Sequence, residues 1–379
     1  MLYTDEFMES LRMEGDSIPD RIIKELFKNS QVGAVNALLK QLINNDQSYP
    51  EELPDNIESW LKDTAYCPEG VDWVRMRNAT DLFQEHGIAI SLLLATGSLV
   101  YCYAARKGVK VLTFSYRLGQ NAYRRIAETG QFVIHVMAPG GLESGGQGIK
   151  AIQKVRLMHS AIRHLIQQTG RWDEKENGVP ICQEDLLGTL LSFSSVIIDG
   201  LRRLGMKITE KQAEDYLYFW KIVGIMLGIR EDIIPKTMEH SVMLAETIGR
   251  RHHGPSPEGV QMTRALLEYH TDLIPGQMFD NIIPALIREI IGDEIADWME
   301  VPRSNWQKLM KFKEQMGLFL DSDYSGVFGS MANRLGLALL RRQTLSMTDY
   351  EYTPFLIPTE LQKVWGIDGD AEKKDVKNE

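Results

Sequence analysis

The segment 147–169 reads QGIKAIQKVRLMHSAIRHLIQQT. Its Ile149, Ile152, Val155, Ile162 and Ile166 recur every three or four positions, so they share one helix face with His159 in the middle. An imidazole in such a stripe is either a core histidine with its polar atoms satisfied or a ligand. Arg156 lies three residues before His159 and Arg163 four after it, close to the same face. Two guanidinium groups are costly to bury in an apolar stripe unless an anion meets them. A haem would answer the whole arrangement: apolar porphyrin faces for Ile152 and Ile162, iron for the imidazole, and two propionates for the arginines. The residue types alone leave both readings of His159 open.

Other candidate chemistry is weaker. His164 follows His159 by five positions and so misses the i,i+4 spacing of a zinc-metalloprotease helix. His252 and His253 stand together in RRHHGPSP, where adjacent side chains diverge, and they read as surface or helix C-cap residues. No glycine-rich phosphate loop follows a strand, no Cys-x-x-Cys occurs, and no serine sits in Gly-x-Ser-x-Gly. Nucleotide-binding and serine-hydrolase chemistries therefore find no footing.

The elements that must position these residues are helical. With 379 residues and 44% hydrophobic composition the chain can bury a large core. Its net charge of -10 provides no positive field for a phosphate backbone, which argues against nucleic acid. Three widely spaced cysteines, Cys67, Cys102 and Cys182, form no disulfide framework, and the acidic first residues carry no secretory pattern. A cytoplasmic location is the expectation. Residues 86–105, HGIAISLLLATGSLVYCYAA, lack any Asp, Glu, Lys or Arg and are long enough to cross a bilayer. Their dilution by Gly87, Ser91, Thr96, Gly97 and Ser98 suits the central helix of a bundle better. Membrane spanning is disfavoured, and peripheral association stays compatible with the sequence.

Residues 1–17 read as a mobile arm, 18–360 as one helical domain, and the polar 367–379 as a disordered tail. Helical periodicity begins at Pro19 and resumes around residues 57–61, 72–85, 116–137 and 147–169. The long segments DLLGTLLSFSSVIIDGLRRLG and KQAEDYLYFWKIVGIMLGI continue it, with further helices at 278–291, 304–317 and 322–341. Thr209 is a cap candidate, but Glu210 follows it and a full capping box is not expected. PGGLESGG, residues 139–146, must be a loop, and VKVLTF, residues 109–114, is the one stretch with a β reading. The fold class expected is all-α, a single domain.

At this length several segments resemble a known family: TGSLVYCYAARKG, YRLGQNAYRRIAETGQFV, IQKVRLMHSAIRHLI and DLLGTLLSFSSVIIDGLRRLG, with SPEGVQMTRALL further on. The family is that of bacterial latex-clearing protein, a rubber oxygenase, and the fungal oxygenase of mycophenolic acid biosynthesis. The resemblance implies a helical protein with a globin-like core that carries haem b and uses dioxygen on apolar unsaturated or isoprenoid-like substrates. It implies His159 as the iron ligand, with Arg156 matching the family's neighbouring arginine and dioxygen on the opposite face, while Arg163 is placed beside the cofactor by its spacing from His159. On the preceding helix it aligns Arg125, Glu128 and Thr129 with the family's distal arginine, lysine and threonine. Arg125 would then donate a hydrogen bond to oxygen, Thr129 would order it or a water, and Glu128 could move a proton. Two departures are visible: a carboxylate, Glu128, replaces the lysine, and no carboxylate near residue 109 matches the family's proposed base. An electron donor is implied as a partner, and the oligomeric state is not set by the sequence. A haem or oxygen sensor without turnover, or a haem-free helical scaffold, are the other classes the residues permit.

Overall fold

The computed structural model describes residues 3–28, 53–114, 118–273 and 282–303, with side chains over the same residues except 113–125, 127 and 271–273. The first helices are α1 (Asp5–Arg12), α2 (Ser17–Lys28), α3 (Asp55–Asp63) and α4 (Trp73–Leu93). A π-helical turn, Leu94–Ser98, leads into α5 (Leu99–Tyr103), followed by α6 (Arg106–Phe114), α7 (Leu118–Val136), α8 (Gln147–Gln168) and the short α9 (Glu174–Asn177). Then come α10 (Gln183–Phe193), α11 (Ser195–Arg203), α12 (Glu210–Met226), α13 (Met238–His252), α14 (Pro257–Leu273), α15 (Ile282–Ile291) and α16 (Asp293–Trp298). No strand occurs among the described residues. Their nearest approach to a β pairing is a single bridge, Ala105 to His253.

The apolar 31-residue run Trp73–Tyr103 is laid against α12, α11 and α15, and 56% of its most apolar window is buried inside the protein. Apolar on most sides, it is a core helix, bent at His86 (φ −116°, ψ 17°) and widened at the π-turn. There Leu99 N–H reaches back five residues to the carbonyl of Leu94, skipping that of Ala95. The skipped carbonyl is met by Nε2 of His270 from α14, at 2.7 Å.

Several expectations are corrected. Residues 3–17 are no mobile arm: α1 is capped by Thr4, whose hydroxyl accepts the Phe7 N–H at 3.2 Å, and it buries Met8, Leu11 and Arg12 completely. Its charges concealed a periodic face; the Arg12 guanidinium donates to the Asn177 carbonyl and pairs with Asp185 at 2.9 Å and Glu184 at 3.5 Å. VKVLTF lies in α6, where packing overrides the β preference of its valines. DLLGTLLSFSSVIIDGLRRLG is two helices, broken at Ser194 (φ −113°, ψ −89°). Thr209 does head a capping box, because Gln212, three residues on, returns a bond to the Thr209 N–H at 3.0 Å. The expected helices beyond 303 and the tail at 367–379 lie outside the described residues.

Two apolar clusters meet along α8. Ile149 and Ile152 belong to the main core with Val133 and Val136 of α7 and residues of α4, α10 and α12. Leu157, Ala161 and Leu165 belong to a second cluster with Ile22, Ile23 and Leu26 of α2 and Ile57, Trp60 and Leu61 of α3. The connection 139–146 holds α7 against the start of α8. It is a loop as expected, but a tight one: a side chain at Gly141 or Gly146 would run into backbone carbonyls of the same turn.

Candidate functional site

Helix α8 presents one face that joins neither cluster. Val155, Met158, His159 and Ile162 stay half-buried, although helices α2 and α7 are packed against the same helix. On a helical wheel Val155 and Ile162 fall to one side of His159, and Arg156 and Arg163 to the other. The imidazole is thus the centre line between an apolar edge and a cationic edge.

His159 Nδ1 is enclosed and has no hydrogen-bond partner. Loss of water, and to a lesser degree the nearby Arg163 charge, holds the imidazole pKa down at about 4. At neutral pH the ring is uncharged, the form that ligates a metal.

The two arginines are met by carboxylates of the chain itself. Arg156 is bidentate to Asp16, Nε to Oδ2 at 2.5 Å and Nη2 to Oδ1 at 3.0 Å, and its guanidinium lies 5.9 Å from the Trp60 ring centroid. Arg163 pairs with Asp20 and donates Nε to the Pro180 carbonyl at 2.9 Å and Nη2 to that of Ile181 at 2.8 Å. Burial of these arginines therefore calls for no external anion, contrary to the expectation from their spacing: Asp16 and Asp20 supply the negative charge. Burial pushes the Asp16 carboxyl up, and Arg156 pulls the other way. Sequence reasoning missed both aspartates because ion pairs spanning about 140 residues leave no local pattern.

On α7, Glu128 is buried and Thr129 half-buried, and both have interaction partners. Arg125 lies on the same helix, its side chain outside the described residues. Helix α7 packs against α8 on one side and α14 on the other, so the three positions belong to the helix next to His159. Among the described residues no group of three or more His, Cys, Asp or Glu side chains is placed to hold a metal ion. A metal at His159 would take one protein ligand from α8, which suits a macrocycle that brings its own ring nitrogens.

His252 and His253 are not at the surface. His252 Nε2 sits 2.8 Å from the buried Glu184 carboxylate. His253 does form the C-cap of α13, edge-on to Tyr101 at 4.3 Å, and desolvation lowers its pKa to about 4. His164 stacks on Phe27 at 4.8 Å. These three serve the packing of their helices.

The domain is all-α, and its helix α8 presents an uncharged histidine on a half-buried face. Over residues 83–319 the chain matches the family described as "ER-bound oxygenase mpaB/B'/Rubber oxygenase, catalytic domain", and it belongs to that family. It is 26% identical over 310 residues to the rubber oxygenase of Streptomyces sp. (strain K30), covering 79% of this chain and 76% of that protein. The fold matches that of latex clearing protein LCP in the closed state with a TM-score of 0.73, over 86% of this chain and 91% of the other, at 23% identity.

Proposed function

We propose that this protein is a haem b-dependent oxygenase acting on an apolar unsaturated or isoprenoid-like small molecule, with His159 as the protein ligand to iron. Membership of the mpaB/rubber oxygenase family supports oxygenase chemistry. The observation that carries the cofactor assignment is the His159 imidazole, desolvated, uncharged and with Nδ1 unpartnered on a half-buried apolar face. Haem, when bound, supplies the one-electron and dioxygen chemistry that no side chain provides.

The chain's own residues would divide the remaining work. His159 holds the cofactor and, as a neutral ligand, adds no charge to it. Val155, Met158 and Ile162 exclude water along the same face, which strengthens every polar interaction inside it. Arg163 has its donors taken up by Asp20, Pro180 and Ile181, so both arginines act on the site through their paired charges more than through contact. Arg125, Thr129 and Glu128 are assigned to substrate orientation and proton handling on α7, the Glu128 carboxyl being the proton carrier. Three free thiols fit a cytoplasmic setting.

The test is oxygen uptake by haem-loaded protein against a panel of alkenes and isoprenoids. Uptake that requires a particular unsaturated compound and yields an oxidised product is expected. Redox cycling without any product across the panel would leave a haem or oxygen carrier as the answer, a reading favoured by the carboxylate at Glu128.

A further inference from the structure

Asp16 and Asp20 stand four residues apart at the start of α2, and Arg156 and Arg163 seven apart on α8, one turn to either side of His159. Neighbours three or four apart on a helix have Cβ atoms about 5–6 Å from each other, so both cationic side chains leave α8 within a turn of the imidazole. Each meets one carboxylate, and the four groups sum to zero charge. The pairs are shielded from water: side-chain exposure is 13% for Arg156 and 8% for Asp16, and 3% for Arg163 and 30% for Asp20. Charges so placed are poorly screened by solvent and salt.

The segment that carries Asp16 is fixed by bonds of its own. Gln183 donates its side-chain N–H groups to the carbonyls of Gly15 at 2.8 Å and Gly228 at 3.0 Å, and accepts the Arg230 N–H at 3.0 Å. Gly228 has φ +90°, and a side chain there would collide with the Asp16 carboxylate, so the loop after α12 is shaped to seat that carboxylate against Arg156. The Asp20 carboxylate accepts the Asp16 backbone N–H at 3.1 Å, tying Asp20 to the segment that carries Asp16.

We infer that Asp16 and Asp20 are positioning residues that set the electrostatic field at His159, cancelling the Arg156 and Arg163 charges and so fixing the reduction potential of the metal this histidine holds. The inference rests on the haem reading above and adds to it a function for the N-terminal helices: they bring compensating negative charge to the ligand helix. The two arginines would otherwise favour the reduced, less positive metal.

The experiment measures the haem reduction midpoint by spectroelectrochemistry in wild-type protein, Asp16→Asn, Arg156→Gln and the double variant. Asp16→Asn is expected to raise the midpoint, Arg156→Gln alone to lower it, and the double variant to return towards wild type. A disturbance of packing would instead move the double variant at least as far as either single change. Should Asp16→Asn not fold, Asp20→Asn reads the second, more exposed pair, with a smaller rise expected. An unchanged midpoint in the single variants, or a double variant that keeps the Asp16→Asn shift, overturns the inference while the haem reading stands. Wild-type protein that shows no Soret band overturns the haem reading, and this inference with it.

Discussion

A histidine held at about pKa 4 titrates near 6.5 once the chain unfolds, so its burial leaves a signature in stability. The folded-state value is the lower one, so the unfolded chain takes up protons first as pH falls. Stability is complete above about pH 6.5 and declines until about pH 4, by roughly 3 kcal/mol for such a group. His253 is lowered to the same value and adds to the same window. Urea unfolding of haem-free protein from pH 7 to 4 should show this loss, and His159→Phe should remove part of it. A variant whose pH dependence equals wild type would contradict the desolvated placement of the ring. His159 and its arginines were legible as a pattern because they lie within one helix. The partners Asp16 and Asp20 were not, and the burial of His252 against Glu184 was missed although His253 was rightly placed at the helix end, since burial by distant elements leaves no trace in a short motif.

The elements owe their placement to a few tight contacts. At the π-turn the side chain that Gly97 lacks would fall on Cγ2 and Cβ of Ile290 in α15, so Gly97→Ala should cost about 1–3 kcal/mol in urea unfolding, and Ile290→Leu, which removes the branching methyl at Cβ, should recover part of that loss. Equal stability of Gly97→Ala and wild type would show that α15 does not sit against the turn. Helix α1 is anchored by the fully buried Arg12, and Arg12→Ala should destabilise by about 3–5 kcal/mol because it leaves buried acceptors and Asp185 unpaired. A loss below 1 kcal/mol would revive the arm expected from the charged composition of residues 1–17. Most helices could be read from apolar periodicity, and the core helix from its lack of charge. The breaks at His86 and Ser194 and the widening at 94–98 could not, because they answer to neighbours rather than to local propensity.

At the scale of the whole molecule, the all-α fold and the family membership agree with the reading of the sequence, and the segments that carried the resemblance lie largely within the matched region 83–319. What the fold adds is the order of layers: α2 and α3 behind α8, α7 beside it, and α14 beyond α7. A cofactor bound only by the folded state would stabilise the whole domain, by about 2.7 kcal/mol at a hundredfold excess over its dissociation constant. Thermal unfolding should therefore rise with haem in wild-type protein and stay flat in His159→Ala. The most direct test is the absorption spectrum of purified, well-folded protein titrated with haem. A Soret band that saturates at one haem per chain in the wild type and is lost in His159→Ala is the predicted result; no uptake by wild type, or the same band in the variant, would contradict His159 as the ligand.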